Sequence, residues 1–433
     1  HPPPANPVAR GGRVGASLFI RPWVLLSHTP PPPGRVGGGG SRGGAAPAAG
    51  GVALAGGGYA VARATEPPPP DPDAAGQAVE PFYGAHQAGV ATGSQAVATF
   101  IAFDLKPSTD VEALRRLMLL WTEDGRRLTQ GDPTLADTEP ELALTPARLT
   151  VTVGFGPGVF DLAGLADERP DWLEPLPAFA TSDALEDRWT GGDLLLQLGA
   201  DDPTTLSHAQ RMMTKAARPF ATVRWVQAGF THSPGTLTPG STPRNLMGQV
   251  DGTANPRPGT AEFDEIVWTS DGPDWVRGGS GLVIRRIRME LDTWDAMERN
   301  DKEQVIGRRL DNGAPLTGTE EHDVPDFEAV GPDGLTVIPD FAHIRMAHSD
   351  SASMQFLRRP FSYDNGLLPD GRPDVGLLFV AYAADLSTQF VPIQQRLAEN
   401  DLFNTWTPPI GSAVFALPPG CAPGGYLGDT LLA

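Results

Sequence analysis

Hydrophobic and polar positions change period several times after residue 96. Val97–Leu105 (VATFIAFDL) is β-branched and aromatic, which predicts a strand. Within Asp110–Leu128, Val111, Leu114, Met118 and Trp121 recur at helical spacing, and Asp110 is placed to cap the N-terminus. Leu149, Val151, Val153 and Phe155 alternate, which predicts a strand with one buried face. Asp193–Leu198 reads as a third strand, Pro203–Ala217 as a helix with proline near its start, and Thr222–Phe230 as a fourth strand.

That order, β-α-β-β-α-β, is the ferredoxin-like split unit. A turn-rich stretch, Thr231–Arg244, marks a boundary after it. A second unit follows. Gly281–Leu291 alternates around Ile284, Ile287 and Met289, Leu377–Tyr382 is a buried strand, and Ser387–Asn400 is an amphipathic helix carrying Phe390, Ile393 and Leu397. Phe100–Leu105 (FIAFDL) echoes Phe379–Leu386 (FVAYAADL), which suggests a duplicated α+β unit. The polar segments Asp301–Phe327 and Glu328–Asp340 read as an excursion over the surface. The expected architecture is α+β with antiparallel sheets, in two domains at 81–235 and 236–433.

Residues 1–80 do not fit this scheme. They hold proline and glycine tracts such as TPPPPG, VGGGGSRGG and EPPPPDPD, which cannot form a core, so the segment is expected to be disordered. The first 65 residues carry six arginines and no Asp or Glu. A mildly apolar small-residue stretch, Ala45–Ala60, then leads to the A-x-A-like sites at Ala60–Ala62 and Ala62–Ala64. A basic region, an apolar region and a cleavage-like site describe an export signal. The twin-arginine route is expected, although Ser41-Arg42-Gly43 supplies one arginine where two are wanted. Loss of residues 1–64 would leave 27 basic against 52 acidic residues, a formal charge of −25.

Charge and cysteine count exclude other classes. With Lys+Arg 33 and Asp+Glu 52, the 433-residue chain has a net charge of −19, which argues against a nucleic-acid partner. The single cysteine, Cys421, excludes a disulfide framework and any multi-cysteine metal centre. No segment reaches membrane-spanning length. Oligomeric state is left open.

No pair among the eight histidines has a metal-binding spacing such as HExxH. Taken in order, however, several segments form a set: YGAHQAG (83–89), LTVTVGFGPGVFD (149–161), STPRNLMGQVDGTANP (241–256), AHIRMAH (342–348), FLRRPFSY (356–363), GLLFVAYAADL (376–386) and GSAVFALPPGC (411–421). In these the chain resembles the dye-decolorising peroxidases, a haem family with two ferredoxin-like domains, and within it the exported, iron-transport-linked branch. The chain departs from the family at Gln249 and Val250, inside a turn that is usually G-F-K-D-G, and at Pro360-Phe361 after the arginine pair.

The resemblance implies haem b, one per chain, held at the second domain, with His343 as proximal iron ligand; His348 is a competing ligand outside the family position. Asp385 is the expected carboxylate partner of that imidazole, since such a partner makes the ligand more basic. Asp251 is the expected proton-transfer group for hydrogen peroxide and Arg358, rather than its neighbour Arg359, the expected charge stabiliser. A carboxylate in that role points to an acidic pH optimum. Arg345, and more weakly Arg309, are candidates to pair with a haem propionate. Asn255 would brace the aspartate turn, and Leu377, Leu378 and Phe379 would wall the pocket. The implied function is peroxide-driven oxidation of phenols and bulky dyes through a ferryl intermediate. Trp225, Trp406, Tyr363 and Tyr382 are candidates to carry electrons for substrates too large to enter. Two alternatives stand beside this reading: a haem-handling protein of the deferrochelatase kind with incidental peroxidase activity, and an exported redox companion that docks a partner protein on its acidic face.

Overall fold

The structure, a computed structural model, describes residues 76–433 apart from 163, 239 and 350. The arginine-rich, signal-like segment up to residue 75 lies outside the described residues.

In the first half, β1 (Val97–Leu105), β2 (Thr150–Phe155), β3 (Leu194–Ala200) and β4 (Ala221–Phe230) pair antiparallel in the order β2-β3-β1-β4. Helices α1 (Val111–Leu128) and α2 (Pro203–Ala217) are the crossovers. Asp110 caps α1 by accepting from the Ala113 N–H, and Asp202 caps α2 from the Thr205 N–H, so each helix starts where an aspartate satisfies a free amide.

The second half repeats the order. After α3 (Ala261–Val267) comes β5 (Ser280–Arg288), flanked by β9 (Pro409–Leu417) on one side and β8 (Pro373–Ala383) on the other. Beyond β8 lie β6 (Leu357–Arg358) and β7 (Phe361–Leu367), one strand interrupted at Arg359-Pro360. Both halves therefore show the fourth-first-third-second arrangement of an α+β ferredoxin-like sheet. β5 is the topological counterpart of β1. The echo between FIAFDL and FVAYAADL thus joins a first strand to a third, and the repeat lies in the topology rather than in those six residues.

Two contacts close the sheets onto each other, Phe155 with Ala416 and Phe230 with Ser362. The inner faces share one core, in which Phe100, Leu195 and Trp225 meet Leu282, Ile284, Leu378 and Phe415. On the outer face of the first sheet, Ile101, Phe103 and Leu196 pack under Leu114, Met118, Trp121 and Met213 of α1 and α2. β2 is consequently buried on both faces, not on one as its alternation suggested. Alternation reports the pleat; whether the second face is covered depends on the other sheet.

Helices over the outer face of the second sheet are shorter: α4 (Arg299–Ile306), α5 (His343–Ala347), α6 (Leu386–Gln389) and α7 (Val391–Asn400). The expected single helix over 387–400 is broken at Phe390, because Pro392 has no N–H to continue the ladder. Among the described residues no helix is long and apolar enough to cross a membrane.

Candidate active site

The outer face of the second sheet opens into a cavity of about 590 Å³. Ile287 of β5, Leu377 and Phe379 of β8, and Phe390, Ile393 and Leu397 of α6–α7 line it. Leu378 does not, because neighbouring residues of a strand point to opposite faces; it is buried in the shared inner core. The polar excursion is not merely superficial either. Arg308 and Glu321 to Pro325 form one wall of the cavity.

His343 opens α5 and lies on the cavity lining. Its Nδ1 bonds to Asp401 Oδ2 at 2.6 Å. The Asp401 side chain is 2% exposed, and its other oxygen accepts from the Phe403 N–H at 2.9 Å. Burial opposes protonation of the ring, but the Asp401 charge and hydrogen bond outweigh it, so the His343 pKa is raised above its usual value. With Nδ1 engaged, Nε2 is the nitrogen left for a ligand bond. The expected partner was Asp385, and this is corrected. Asp385 instead caps α6, accepting from the Ser387 and Thr388 N–H groups.

Asp251 and Arg358 also line this cavity and pair at 3.2 Å. Asp251 sits in a turn whose glycines, Gly248 at φ +80° and Gly252 at φ +126°, take backbone conformations that side chains disfavour. Asn255 clamps the turn to β6. Its Nδ2 donates to the Arg358 carbonyl at 2.8 Å and its Oδ1 accepts the Arg358 N–H at 3.0 Å. Both Asp251 and Arg358 act electrostatically on His343, as groups sharing one cavity do. Arg359 is absent from the lining and donates to the Thr92 carbonyl. His348 reaches the cavity lining but is exposed.

The two propionate candidates are displaced. Arg345 is spent on the carbonyls of Phe327 and Ile338, and Arg309 is exposed; neither lines the cavity. Arg308 lines it instead. Burial pushes the Arg308 pKa below its usual value, and one guanidinium nitrogen bonds the Gly313 and Glu321 carbonyls at 2.7 and 2.9 Å. Asp401 and Arg308 were thus the residues that local reading missed. Arg308 is one position from a named candidate, whereas nothing around Asp401 marks it, since its partner is 58 residues away.

The residues fit a haem. A volume of about 590 Å³ lies inside the roughly 300–1,000 Å³ range of cofactor sites. The walls are apolar and aromatic, a carboxylate-oriented imidazole offers one free nitrogen, and Arg308 and Arg358 supply cationic groups.

Comparison with known proteins agrees. A model described as Dyp-type peroxidase, N-terminal, matches residues 87–231, and one described as Dyp-type peroxidase, C-terminal, matches residues 242–422. The chain is 40% identical over 362 residues to a dye-decolorizing peroxidase of Thermobifida fusca, covering 80% of this chain and 84% of that protein. It is 37% identical over 381 residues to a deferrochelatase of Escherichia coli, covering 83% and 89%. A crystal structure of a DyP-type peroxidase from Cellulomonas bogoriensis superposes with TM-score 0.80 at 50% identity, covering 83% of this chain and 99% of that one. An oxyferrous/water mixed complex of DtpA from Streptomyces lividans superposes with TM-score 0.81 at 41% identity, covering 84% and 100%.

Proposed function

The chain belongs to the Dyp-type peroxidase family and is a haem peroxidase, and from that premise we propose that His343 ligates the iron while Asp251 and Arg358 handle hydrogen peroxide. The observation carrying this is the Asp251–Arg358 pair at 3.2 Å in the same cavity as a histidine whose Nδ1 is fixed by a buried carboxylate. Haem, when bound, would supply the metal at which the O–O bond is cleaved and to which a reductant later returns electrons.

The side chains do the rest. Asp251 would take a proton from one oxygen of the peroxide and return it to the other, departing oxygen, so that water leaves instead of hydroxide; such transfer contributes about 10²–10⁴ in rate. Arg358 stays cationic and stabilises charge on the departing oxygen. Asn255 keeps acid and cation in register by tying their backbones together. Asp401 orients the ring of His343 and makes it a stronger donor. Arg308 replaces Arg345 and Arg309 as the residue that would hold a propionate. Phe379, Phe390 and Leu377 keep the site dry.

The finer assignments belong to this proposal as well: haem b, one per chain; phenols and dyes as reductants; domains divided near residue 235; and export, for which the acid-free, arginine-bearing first 65 residues are the support. Replacing Asp251 with Ala is expected to slow the reaction with one equivalent of peroxide by about 10²–10⁴, read from the Soret band, with haem still bound. An unchanged rate overturns the mechanism. It would favour the second reading, a haem-handling protein like the deferrochelatase relatives, because a carrier needs no paired acid and cation.

A further inference from the structure

Asp251 stands between Gly248 and Gly252, whose backbone freedom does nothing to fix a side chain. Its carboxylate pairs with Arg358, and among the described residues its other hydrogen bond is a long one, from the Asn245 amide at 3.5 Å. The Asp251 N–H donates to the Pro243 carbonyl at 2.9 Å, still within the same turn. The position of this acid therefore depends on what holds the turn from outside. Asn255 does so on one side, toward β6. On the other side the turn meets the polar excursion. Arg244 donates to the carbonyls of Leu310 and Asp311 at 2.6 and 2.7 Å. Val250, one of the two departures inside the turn, fits against Gly313, where an added Cβ would come 2.9 Å from it.

A further contact spans the turn from end to end. Glu321 Oε1 accepts from the Thr242 hydroxyl and, at 2.9 Å, from the Thr253 hydroxyl. These threonines flank Asp251 in the chain, so a single oxygen draws the two ends of the segment together. Burial opposes ionisation of Glu321, but the hydrogen bonds from Thr242 and Thr253 and the charges of His322 and Arg308 outweigh it, and its pKa is lowered. A carboxylate can only accept, so both hydroxyls must direct their hydrogens at it.

We propose that Glu321 is a positioning residue for peroxide cleavage: by tying Thr242 to Thr253 it holds the Asp251 carboxylate toward Arg358, and it acts on the reaction only through Asp251. This rests on the peroxidase reading given above. The main chain of the same residue has a second task, because the Glu321 carbonyl accepts from Arg308 at 2.9 Å. The side chain thus sets the acid, and the backbone helps set the cation that faces the cofactor. Substitution of the side chain separates the two. Glutamine keeps an oxygen that can accept both hydroxyls, alanine keeps none, and neither removes the carbonyl that holds Arg308.

The test joins two measurements: the stopped-flow reaction of the haem-loaded chain with one equivalent of peroxide, and hydrogen–deuterium exchange of the 241–256 segment with and without haem. Glu321→Ala is expected to slow the reaction by about 10–100-fold, since misplacement by about 1 Å can cost about 10². It should also raise exchange in 241–256 in both forms and leave haem affinity unchanged. Glu321→Gln restores most of the rate and the original exchange. The double variant Thr242→Val with Thr253→Val removes the donors at nearly constant volume, keeps Glu321, and should slow the reaction as Glu321→Ala does. In an Asp251→Ala background, Glu321→Ala should add no more than about twofold, because its effect passes through the missing carboxylate. Full rate in Glu321→Ala, a Glu321→Gln variant as slow as Glu321→Ala, or equal slowing in the Asp251→Ala background overturns the proposal. Unchanged exchange in Glu321→Ala overturns the clamp whatever the rates, whereas an unchanged rate in Asp251→Ala alone overturns the peroxidase mechanism beneath it.

Discussion

The two halves share one strand order but cover their outer faces differently, and the difference locates the function. Over β1–β4 lie two long helices, α1 of 18 residues and α2 of 15, whose apolar faces seal the sheet. Over β5, β8 and β9 the helices run to 10 residues at most, and the gap between them is the cavity. A ferredoxin-like sheet with full-length crossovers makes a dry core. The same sheet with shortened helices and a polar excursion makes a binding site.

If the first half is mainly scaffold, damage to it should cost stability before chemistry. Trp121 of α1 is fully buried and its indole N–H bonds the Met213 carbonyl at 2.9 Å. Trp121→Ala is expected to lose about 3–5 kcal/mol in denaturant unfolding, with the peroxide reaction of the remaining folded fraction unaltered. A change in that reaction with stability intact would break the division between the halves.

The converse holds in the second half. Asp401→Asn is expected to weaken haem affinity by about 10–100-fold while the folded fraction at neutral pH barely changes. Haem titration into the apo chain measures this, and the same substitution at Asp385, which caps α6, should leave that affinity alone.

The smallest effect sharpens the scaffold side. Burial, aided by the charge of Glu123, raises the Asp124 carboxyl from 3.8 to about 6. The folded state therefore binds this proton more tightly than the unfolded chain. The resulting stabilisation is complete below about pH 4 and is lost as pH rises through about 6. Asp124→Asn should gain about 1 kcal/mol at pH 7, after allowance for partial solvation, and lose that advantage below about pH 4. Thermal unfolding at the two pH values checks the sign.

Much of this was legible in the chain alone. Helices α1 and α2, with Asp110 as a cap and Pro203 at the start of the second, follow from periodicity and capping, which act over one or two turns. The motifs around Asp251, His343 and Arg358 were recognisable because each is contiguous. What failed was long-range or directional. Asp385 and Asp401 are both carboxylates flanking the last helices, and only the path of the chain sets one beside His343. Arg308 and Arg309 are neighbours that point apart, as are Leu377 and Leu378.

Sequence by itself determined the α+β elements and their order and, through the resemblance, which trio to propose for the chemistry, because hydrophobic period, capping and short motifs are properties of adjacent residues. Only the tertiary structure decided which carboxylate orients the imidazole, whether Arg308 or Arg309 enters the cavity, and which faces of β2 are covered. Those outcomes depend on contacts between segments tens to hundreds of residues apart, whose geometry no local pattern encodes.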